Sequence, residues 1–306
     1  MLKIATRGSA LALWQARAVA SMLRDNGVEV TEELVIVNTR ADQRLDIPIW
    51  DMGGKGVFVK EVQTAVLAGD ARIAVHSAKD LPSVAVPGLV LAAVPVRADP
   101  RDVLVGSTLQ GLAPGATVAT GSVRRRTQLA YLRPDLTFSG LRGNIATRIA
   151  KVPDGGAIVI AAAAIERLGL AESLAETGVP TELLSPSSVL PQAGQGALAI
   201  ECRAEDHEML AVLGGIEHSA SRVSVDAERA FLAELGGDCD LPAGALGALR
   251  SAELGGGEEL ELHAMLGSLD GHVVLRERRV GTDPVALGRL TARALLDGGG
   301  EALLGA

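Results

Sequence analysis

The chain has 306 residues, a formal net charge of −8 and 22% charged residues, a composition typical of a folded protein rather than a disordered one. Its length predicts two or three domains. Aromatic residues make up only 2%, so the core must be built from Ala, Val, Leu and Ile. The longest uncharged stretch that could be mistaken for a membrane span, 81–96, is short for a bilayer and contains three prolines. The first residues lack a signal-peptide pattern, and we expect a soluble, cytoplasmic protein.

The cysteine and histidine content argues against two common kinds of structural site. Two cysteines, Cys202 and Cys239, are too few for a disulfide framework. The five histidines are scattered, and no cysteine or histidine spacing is typical of zinc ligands. We therefore expect no structural metal.

Charge is distributed unevenly along the chain. Residues 97–170 contain ten basic and five acidic residues although the whole chain is acidic, and arginines outnumber lysines 24 to five. Arginine pairs with carboxylate or phosphate at two points, which lysine does not do. The segment favours a small polyanionic ligand over broad nucleic-acid binding. An ordinary surface cation remains the simpler interpretation of any single arginine.

The first hundred residues alternate between strand and helix patterns, which is typical of an α/β lobe. The chain opens with a predicted strand, and Ser9 is placed to cap a helix that Asn26-Gly27 ends. The remaining predicted elements are a strand at 34–37, a helix at 60–67 and a buried strand at 73–75.

A second α/β unit starts near residue 98, and the tail has a different character. The sequence of the second unit predicts strands at 116–120, 136–139 and 157–161. It also predicts a helix from the cap Ser122 to 132, a short helix at 144–150, and a helix at 163–168 that directly follows the third strand. A connection at 185–196 precedes another strand at 197–200. The tail contains a helix at 219–235 that Ser219 caps, a hairpin of 260–266 and 273–279, and a helix that Asp283 starts and 298–300 ends. This pattern predicts a small α+β third domain.

Two N-terminal motifs carry cations at turns. Arg7-Gly8-Ser9 lies where a strand gives way to a helix, whose free N–H groups favour an anion. An ordinary capped helix with a solvated Arg7 is the slightly favoured alternative. Lys55 lies between glycines but lacks the spacing of an ATP-binding phosphate loop, so a mobile lysine that closes over an anion, or a surface turn, fits better.

The segment from His76 to Pro82 follows a buried strand, and strand ends in α/β folds face the ligand crevice. Asp80 is suited to stabilise a developing cation there. A local ion pair between Lys79 and Asp80 is an equally good interpretation, and His76 is best interpreted as a satisfied core residue.

Several further arginines stand near strand-to-helix transitions, where they could converge on one anion. They are Arg124, Arg125 and Arg126 after Ser122, together with Arg142, Arg148 and Arg167. A solvated helix face would more often mix charge signs, so the binding interpretation is favoured here.

Cys239 lies in a glycine-rich loop, which leaves a thiol accessible for covalent chemistry. No partner histidine is evident, and the loop alone is weak support for a nucleophile. Cys202 lies inside a strand pattern and is predicted to be a core residue.

Together these motifs resemble the porphobilinogen deaminase (hydroxymethylbilane synthase) family. The segments that carry the resemblance occur in order between residue 4 and about 242: ATRGSALALWQA, GGKGVFVKE, AVHSAKDLP, ADPRDV, GSVRRRTQL, LRGNIATR, ERLGL, QAGQGALAIECR and GGDCDLP. The C-terminal part matches mainly in size and pattern.

The resemblance implies an α/β fold of two lobes like those of periplasmic binding proteins around a cleft, plus a small C-terminal α+β domain that carries the cofactor cysteine. It places 1–96 and 197–214 in lobe 1, 98–191 in lobe 2 and 218–306 in the third domain. It also implies head-to-tail condensation of four porphobilinogen molecules with loss of ammonia. The product is hydroxymethylbilane, the cofactor is a dipyrromethane held by a thioether, and a monomer without nucleic-acid or membrane partners is expected.

Individual residues match the positions of the family. Cys239 matches the attachment cysteine, and Asp80 matches the catalytic aspartate that holds pyrrole nitrogens and stabilises the electrophile left by ammonia loss. Residues that match cofactor- and substrate-binding positions are Arg7, Ser9, Lys79, Ser122, Arg124, Arg125, Arg142, Arg148 and Gln195, with Arg167 as a further arginine and Lys55 as the loop lysine near the cleft mouth.

Two positions depart from the pattern of the family. Asp51 stands where some relatives have another lysine, and Arg72 stands where an acid is common. The main rival hypothesis is a non-catalytic two-lobed protein that binds a small anion, and a third is an anion-binding transferase without a covalent cofactor. The hypothesis of a non-catalytic binding protein assigns no role to Cys239 or Asp80.

Overall fold

The structure is a computed structural model that describes residues 1–39, 56, 59–237, 241–251 and 258–304. Three β-sheets, two of five strands and one of three, organise this part of the chain. Within the same ranges, no helix combines the length and the apolar character needed to cross a membrane.

Every predicted strand and helix occurs in the predicted order, but the strands Leu89–Ala93, Asp102–Val105 and Thr181–Leu183 and the helices Leu170–Glu176 and His207–Gly214 were not predicted. The strands are β1 (Leu2–Arg7), β2 (Glu32–Val37), β3 (Ile73–Ser77), β4 (Leu89–Ala93), β5 (Asp102–Val105), β6 (Thr117–Ala119), β7 (Thr137–Ser139), β8 (Ala157–Ala161), β9 (Thr181–Leu183), β10 (Leu198–Arg203), β11 (Ala243–Ser251), β12 (Glu258–Gly267) and β13 (Val274–Gly281). The helices are α1 (Ala10–Asp25), α2 (Lys60–Leu67), α3 (Val123–Leu132), α4 (Ile145–Ile149), α5 (Ala162–Arg167), α6 (Leu170–Glu176), α7 (His207–Gly214), α8 (Ser219–Glu234), α9 (Pro284–Leu295) and α10 (Glu301–Leu304). A 3₁₀ turn covers Ala78–Asp80, and Leu296–Gly300 is π-helical.

The two five-stranded sheets share one topology. The first has the order β2-β1-β3-β10-β4 and the second β7-β6-β8-β5-β9. In each, the first three strands are parallel, whereas the fourth is antiparallel to its neighbours. That fourth strand enters each sheet directly from the other lobe, so the chain crosses between the lobes before β5 and again before β10. The predicted fold class is confirmed: two α/β lobes and a small α+β domain.

The C-terminal domain pairs an antiparallel meander of β11, β12 and β13 with helices α8 and α9. Its core includes Phe231, Leu262 and Leu295. Among the described residues, Phe231 is the one buried aromatic side chain, and the buried apolar residues around it are mainly aliphatic, as the composition predicts.

Three details of the tail differ from the sequence prediction. Strand β11 was not predicted, because its Gly- and Ala-rich sequence lacks alternating large apolar residues. His218, rather than Ser219, caps α8, since its ring accepts a hydrogen bond from the Ser221 amide. The predicted helix end at 298–300 is confirmed, because Gly299 has a left-handed φ of 107° that breaks the helical geometry, but the short helix α10 that follows was not predicted.

Candidate active site between the lobes

Two motifs meet at one edge of the first sheet because β1 and β3 are parallel neighbours. Arg7 ends β1, and the turn with Lys79 and Asp80 follows the end of β3. The carboxyl ends of parallel strands form the ligand crevice of such sheets. Gln15 Nε2 donates to Ser77 Oγ at 2.8 Å and fixes α1 against the turn.

A pocket that is open to solvent lies at this edge. Its lining includes Arg7, Ser9, Gln15, His76, Ser77 and Asp80. Ser9 caps α1 as predicted, since its Oγ accepts a hydrogen bond from the Ala12 amide at 3.2 Å. The N-terminus of α1 therefore adds positive potential beside Arg7.

Asp80 keeps its charge available. Throughout the described ranges its carboxylate has no hydrogen-bond or ion-pair partner, so the predicted alternative of a local pair with Lys79 is not observed. Lys79 Nζ instead donates to Gln195 Oε1 at 3.2 Å. Burial lowers the pKa of Lys79 to about 8, with Arg125 adding to the effect and Asp80 opposing it.

Lobe 2 contributes two arginines from the first turn of α3. Ser122 caps this helix by accepting a hydrogen bond from the Arg125 amide at 3.4 Å, as predicted. The Arg124 side chain is almost fully buried, with Nη2 2.8 Å from Asp102 Oδ2 and Nη1 2.6 Å from the Leu190 carbonyl. Arg124 therefore does not present its guanidinium group to the pocket.

Arg125 pairs with the same carboxylate. Its Nε and Nη2 lie 3.1 and 2.7 Å from Asp102 Oδ1. Burial alone would raise the pKa of Asp102, but the charges of Arg124 and Arg125 and hydrogen bonds from Arg125 and Gln195 outweigh it. The net effect holds the pKa of this carboxyl far below its usual range.

Charges from both lobes act on Arg148. Burial and the charges of Arg125, Arg142 and Arg7 lower the pKa of Arg148, the Asp80 charge opposes them, and the net value is about 10. The Arg148 Nε–H donates to the Gly143 carbonyl at 2.7 Å, which anchors the side chain beside α4. Arg7 of lobe 1 and Arg125, Arg142 and Arg148 of lobe 2 therefore contribute to one region of positive potential.

Arg167 lies at a contact between the lobes. Its guanidinium carbon is 5.7 Å from the centre of the Trp14 ring on α1, and Nη2 donates to the Gly196 carbonyl at 2.6 Å. Burial lowers its pKa to about 10. In the described structure this arginine joins α5 to lobe 1 by a cation–π contact.

The C-terminal domain contacts the same region. Arg229 Nη2 donates to the Pro82 carbonyl at 2.8 Å, and Ser83 Oγ donates to the Gly237 carbonyl at 3.3 Å. Gly237 thus lies next to the loop that follows Asp80. Cys239 and Lys55 themselves lie outside the described residues.

Sequence reasoning missed three buried carboxylates that organise this region. They are Asp102, Glu201 and Glu228. Glu228 pairs with Arg97 and accepts hydrogen bonds from the Gly194 and Gly247 amides, which joins both crossovers to the third domain. The available signal was position: Asp102 opens the otherwise apolar strand β5, and Glu201 lies inside β10.

His76 and Cys202 behave as core residues. His76 is buried as predicted, with Nε2 3.2 Å from Glu201 Oε2, and Gln63 also donates to that carboxylate. Cys202 is fully buried, and burial raises its pKa to about 11, so it is a poor nucleophile. In the described ranges, no group of three or more His, Cys, Asp or Glu residues is arranged to hold a metal ion.

Comparison with known proteins adds independent information. The family model described as "Porphobilinogen deaminase, dipyromethane cofactor binding domain" matches residues 2–211, and "Porphobilinogen deaminase, C-terminal domain" matches 223–297. Porphobilinogen deaminase from Roseiflexus sp. (strain RS-1) is 47% identical over 99% of this chain and 98% of that protein. The Syntrophus aciditrophicus (strain SB) enzyme is 44% identical over 99% and 97%.

Among solved structures, an ancestral cationic amino acid solute binding protein is 13% identical with a TM-score of 0.41, and the match covers 74% of this chain and 93% of that one. The family models together span most of the chain, and the curated relatives match it along nearly its whole length. The chain therefore belongs to the porphobilinogen deaminase family, whose members carry a domain that binds a dipyrromethane cofactor.

Proposed function

We propose that this enzyme of tetrapyrrole synthesis is a transferase, hydroxymethylbilane synthase. It condenses four porphobilinogen molecules head to tail on a covalent dipyrromethane primer and releases one ammonia at each step. Water then cleaves the tetrapyrrole from the primer, and its oxygen becomes the hydroxyl group of hydroxymethylbilane. The observation that carries the proposal is the Asp80 carboxylate, which has no hydrogen-bond or ion-pair partner in the described ranges although Arg7 lines the same pocket and Arg148 of lobe 2 lies close enough for their charges to interact. A purely structural carboxylate in such a field would be expected to pair with one of them.

The arginines suit the substrate and the cofactor. Each pyrrole unit carries an acetate and a propionate, so a chain of several units is a polyanion. Arg7 lines the pocket beside Asp80, and Arg148 interacts by charge with Arg7, Arg142 and Asp80, so Arg7, Arg142 and Arg148 are proposed to bind these carboxylates. The cofactor, when bound, supplies the pyrrole carbon to which the first substrate unit is joined.

Asp80 is proposed to act on positive charge. Loss of ammonia from porphobilinogen leaves a cation that is delocalised onto the pyrrole nitrogen. A carboxylate within hydrogen-bond reach of that N–H stabilises this charge and receives or returns a proton. The arginines hold the substrate carboxylates, so the Asp80 carboxylate remains available for the nitrogen.

Cys239 is proposed to hold the cofactor through a thioether. The route of the chain supports this assignment, because Gly237 is hydrogen-bonded to Ser83, three residues after Asp80. The other cysteine, Cys202, is enclosed in the core of lobe 1 and has no access to the cleft.

The remaining assignments are proposed on the same basis. Ser9, Lys79, Ser122, Arg124, Arg125, Arg167 and Gln195 form or support the binding surface, and Lys55 approaches it from its loop. We propose the boundaries 1–96 with 197–214, 98–191 and 218–306 for the three domains. We also propose a cytoplasmic monomer without nucleic-acid partners.

Mass spectrometry of the purified protein tests the proposal. The expected result is a covalent addition of two pyrrole units on the peptide that contains Cys239, with a pink Ehrlich reaction. Cys239→Ser should lack the addition, whereas the control Cys202→Ser should keep it. An unmodified wild-type mass after expression with adequate porphobilinogen, together with no ammonia release, would instead support a non-catalytic anion-binding protein.

A further inference from the structure

One buried carboxylate has contacts with three of the polar side chains assigned to the cleft. Asp102 has no exposed surface, and its oxygens accept hydrogen bonds from Arg124 Nη2 at 2.8 Å, Arg125 Nη2 at 2.7 Å and Gln195 Nε2 at 2.8 Å. We propose that Asp102 is a positioning residue that sets the geometry and charge of Arg125, Gln195 and Lys79. The inference rests on the proposed function and deepens it.

A chain of hydrogen bonds leads from Asp102 to Lys79. Gln195 donates from Nε2 to Asp102, which fixes the orientation of its amide and leaves Oε1 to accept. Lys79 Nζ donates to this Oε1 at 3.2 Å. Asp102 begins β5 in lobe 2, Gln195 lies in the second crossover, and Lys79 lies beside Asp80 in lobe 1. The relay therefore joins both lobes at the candidate active site.

The relay also changes the charge that the pocket presents. Facing Lys79 are Arg124 and Arg125 on α3, Asp102 on β5 and Asp80 on its own turn. The two arginines and burial favour the neutral amine, whereas the two carboxylates favour the ammonium form. Without the Asp102 charge, two unneutralised guanidinium groups would face Lys79 from lobe 2.

This arrangement changes the expected role of Arg124. Its Nη1 and Nη2 are committed to Leu190 and Asp102, and only 2% of the residue is exposed. Arg124 therefore acts through Asp102, which it holds in place, while Arg125 and Lys79 are the cations closer to the substrate. Loss of Asp102 would leave Arg124 and Arg125 with an uncompensated charge in a buried site, which destabilises the fold.

The experiment compares Asp102→Asn with Asp206→Asn. Asp206 also forms a two-point pair with an arginine, Arg72, but it lies just beyond β10 at the opposite edge of the first sheet. The ¹³Cε NMR signal of Lys79 in the substrate-free holoenzyme is followed against pH. Assignment requires distinguishing five lysines and uses the signal lost in Lys79→Arg.

We expect the Lys79 midpoint to fall by about one pH unit in Asp102→Asn, because a nearby opposite charge has been removed. Asp206→Asn should leave it in place. Since the ammonium form then persists only to a lower pH, the alkaline limb of kcat/KM for porphobilinogen should move down by the same amount. A merely structural role would lower the melting temperature of both variants without moving either profile.

A second variant guards against misfolding of Asp102→Asn. Gln195→Met keeps the side-chain length, removes both relay hydrogen bonds and should raise KM for porphobilinogen several-fold more than it changes kcat. An unmoved Lys79 midpoint in folded Asp102→Asn, or an unchanged KM in Gln195→Met, overturns the inference. If wild-type protein releases no ammonia from porphobilinogen, the proposed function fails instead, and the NMR comparison still decides the role of Asp102.

Discussion

The two lobes bring carboxylates of opposite character to the cleft. Asp80 of lobe 1 lines an open pocket and has no hydrogen-bond or ion-pair partner in the described part of the chain. Asp102 of lobe 2 has no exposed surface and accepts hydrogen bonds from two arginines and a glutamine. Both residues lie near arginines, so proximity to positive charge alone does not separate them.

The difference is one of access. A buried carboxylate is stable only when its lone pairs are used, which commits Asp102 to the groups that hold it. Asp80 is solvated, so it can leave its charge unpaired until a cation enters the pocket. The pair illustrates how one arginine-rich cleft supports both a fixed framework and a reactive group.

The largest expected effect comes from Asp102→Ala. Removal of this carboxylate leaves Arg124 and Arg125 buried without a counter-charge, and the free energy of unfolding should fall by about 3–5 kcal/mol. Urea denaturation measures the loss. A change near zero in the free energy of unfolding would mean that Asp102 contributes no more to stability than Asp80 does.

Asp80→Asn sharpens the comparison from the other side. The substitution keeps the shape and removes the charge, so kcat should fall by about 100- to 1000-fold, the usual cost of losing one group that stabilises transition-state charge. The melting temperature and the covalent cofactor mass should stay near wild type. Full turnover would show that this carboxylate has been assigned the wrong role.

Trp14→Leu tests a contact between the lobes that involves neither carboxylate. Loss of the cation–π contact with Arg167 should cost about 1 kcal/mol of stability, since the arginine keeps its hydrogen bond to Gly196. Urea denaturation measures the loss. In a Trp50→Phe background Trp14 is the single tryptophan, so its fluorescence follows the unfolding of the protein that still carries Trp14. An unchanged free energy of unfolding would show that this contact does not stabilise the protein.

Arg72→Gln should have the smallest effect. Arg72 pairs with Asp206 and Glu208 at a partly solvated site, where such pairs contribute below about 1 kcal/mol. Turnover should not change, because the site is at the edge of the sheet remote from Asp80. A clear loss of activity would link this departure from the family pattern to the cleft.

Local features of the fold followed from the sequence, whereas the buried polar network did not. The caps Ser9 and Ser122 and the bounds of α2 depend on neighbouring residues and were predicted correctly. Asp102 meets Arg124 and Gln195 only after the two crossovers bring distant segments together. In the sequence its carboxylate looks like any surface acid, apart from the apolar residues that follow it in β5.

The resemblance identified the candidate residues but did not distinguish the roles of the individual arginines. It grouped Arg124, Arg125 and Arg148 as equivalent binding residues. The structure separates a buried Arg124, whose Nη1 and Nη2 donate to Leu190 and Asp102, from an Arg148 whose pKa the Asp80 charge acts to raise. Burial and partner geometry made that distinction, and neither can be obtained from spacing alone.

Turnover of ¹³C-labelled porphobilinogen tests whether a two-pyrrole primer stays attached to the enzyme while the product is made and released. The masses of the released product and of the enzyme are measured after several cycles. The account predicts a fully labelled linear tetrapyrrole and an unlabelled two-pyrrole addition that remains on the Cys239 peptide. An enzyme without a covalent addition, or one whose addition becomes labelled and leaves with the product, would contradict it.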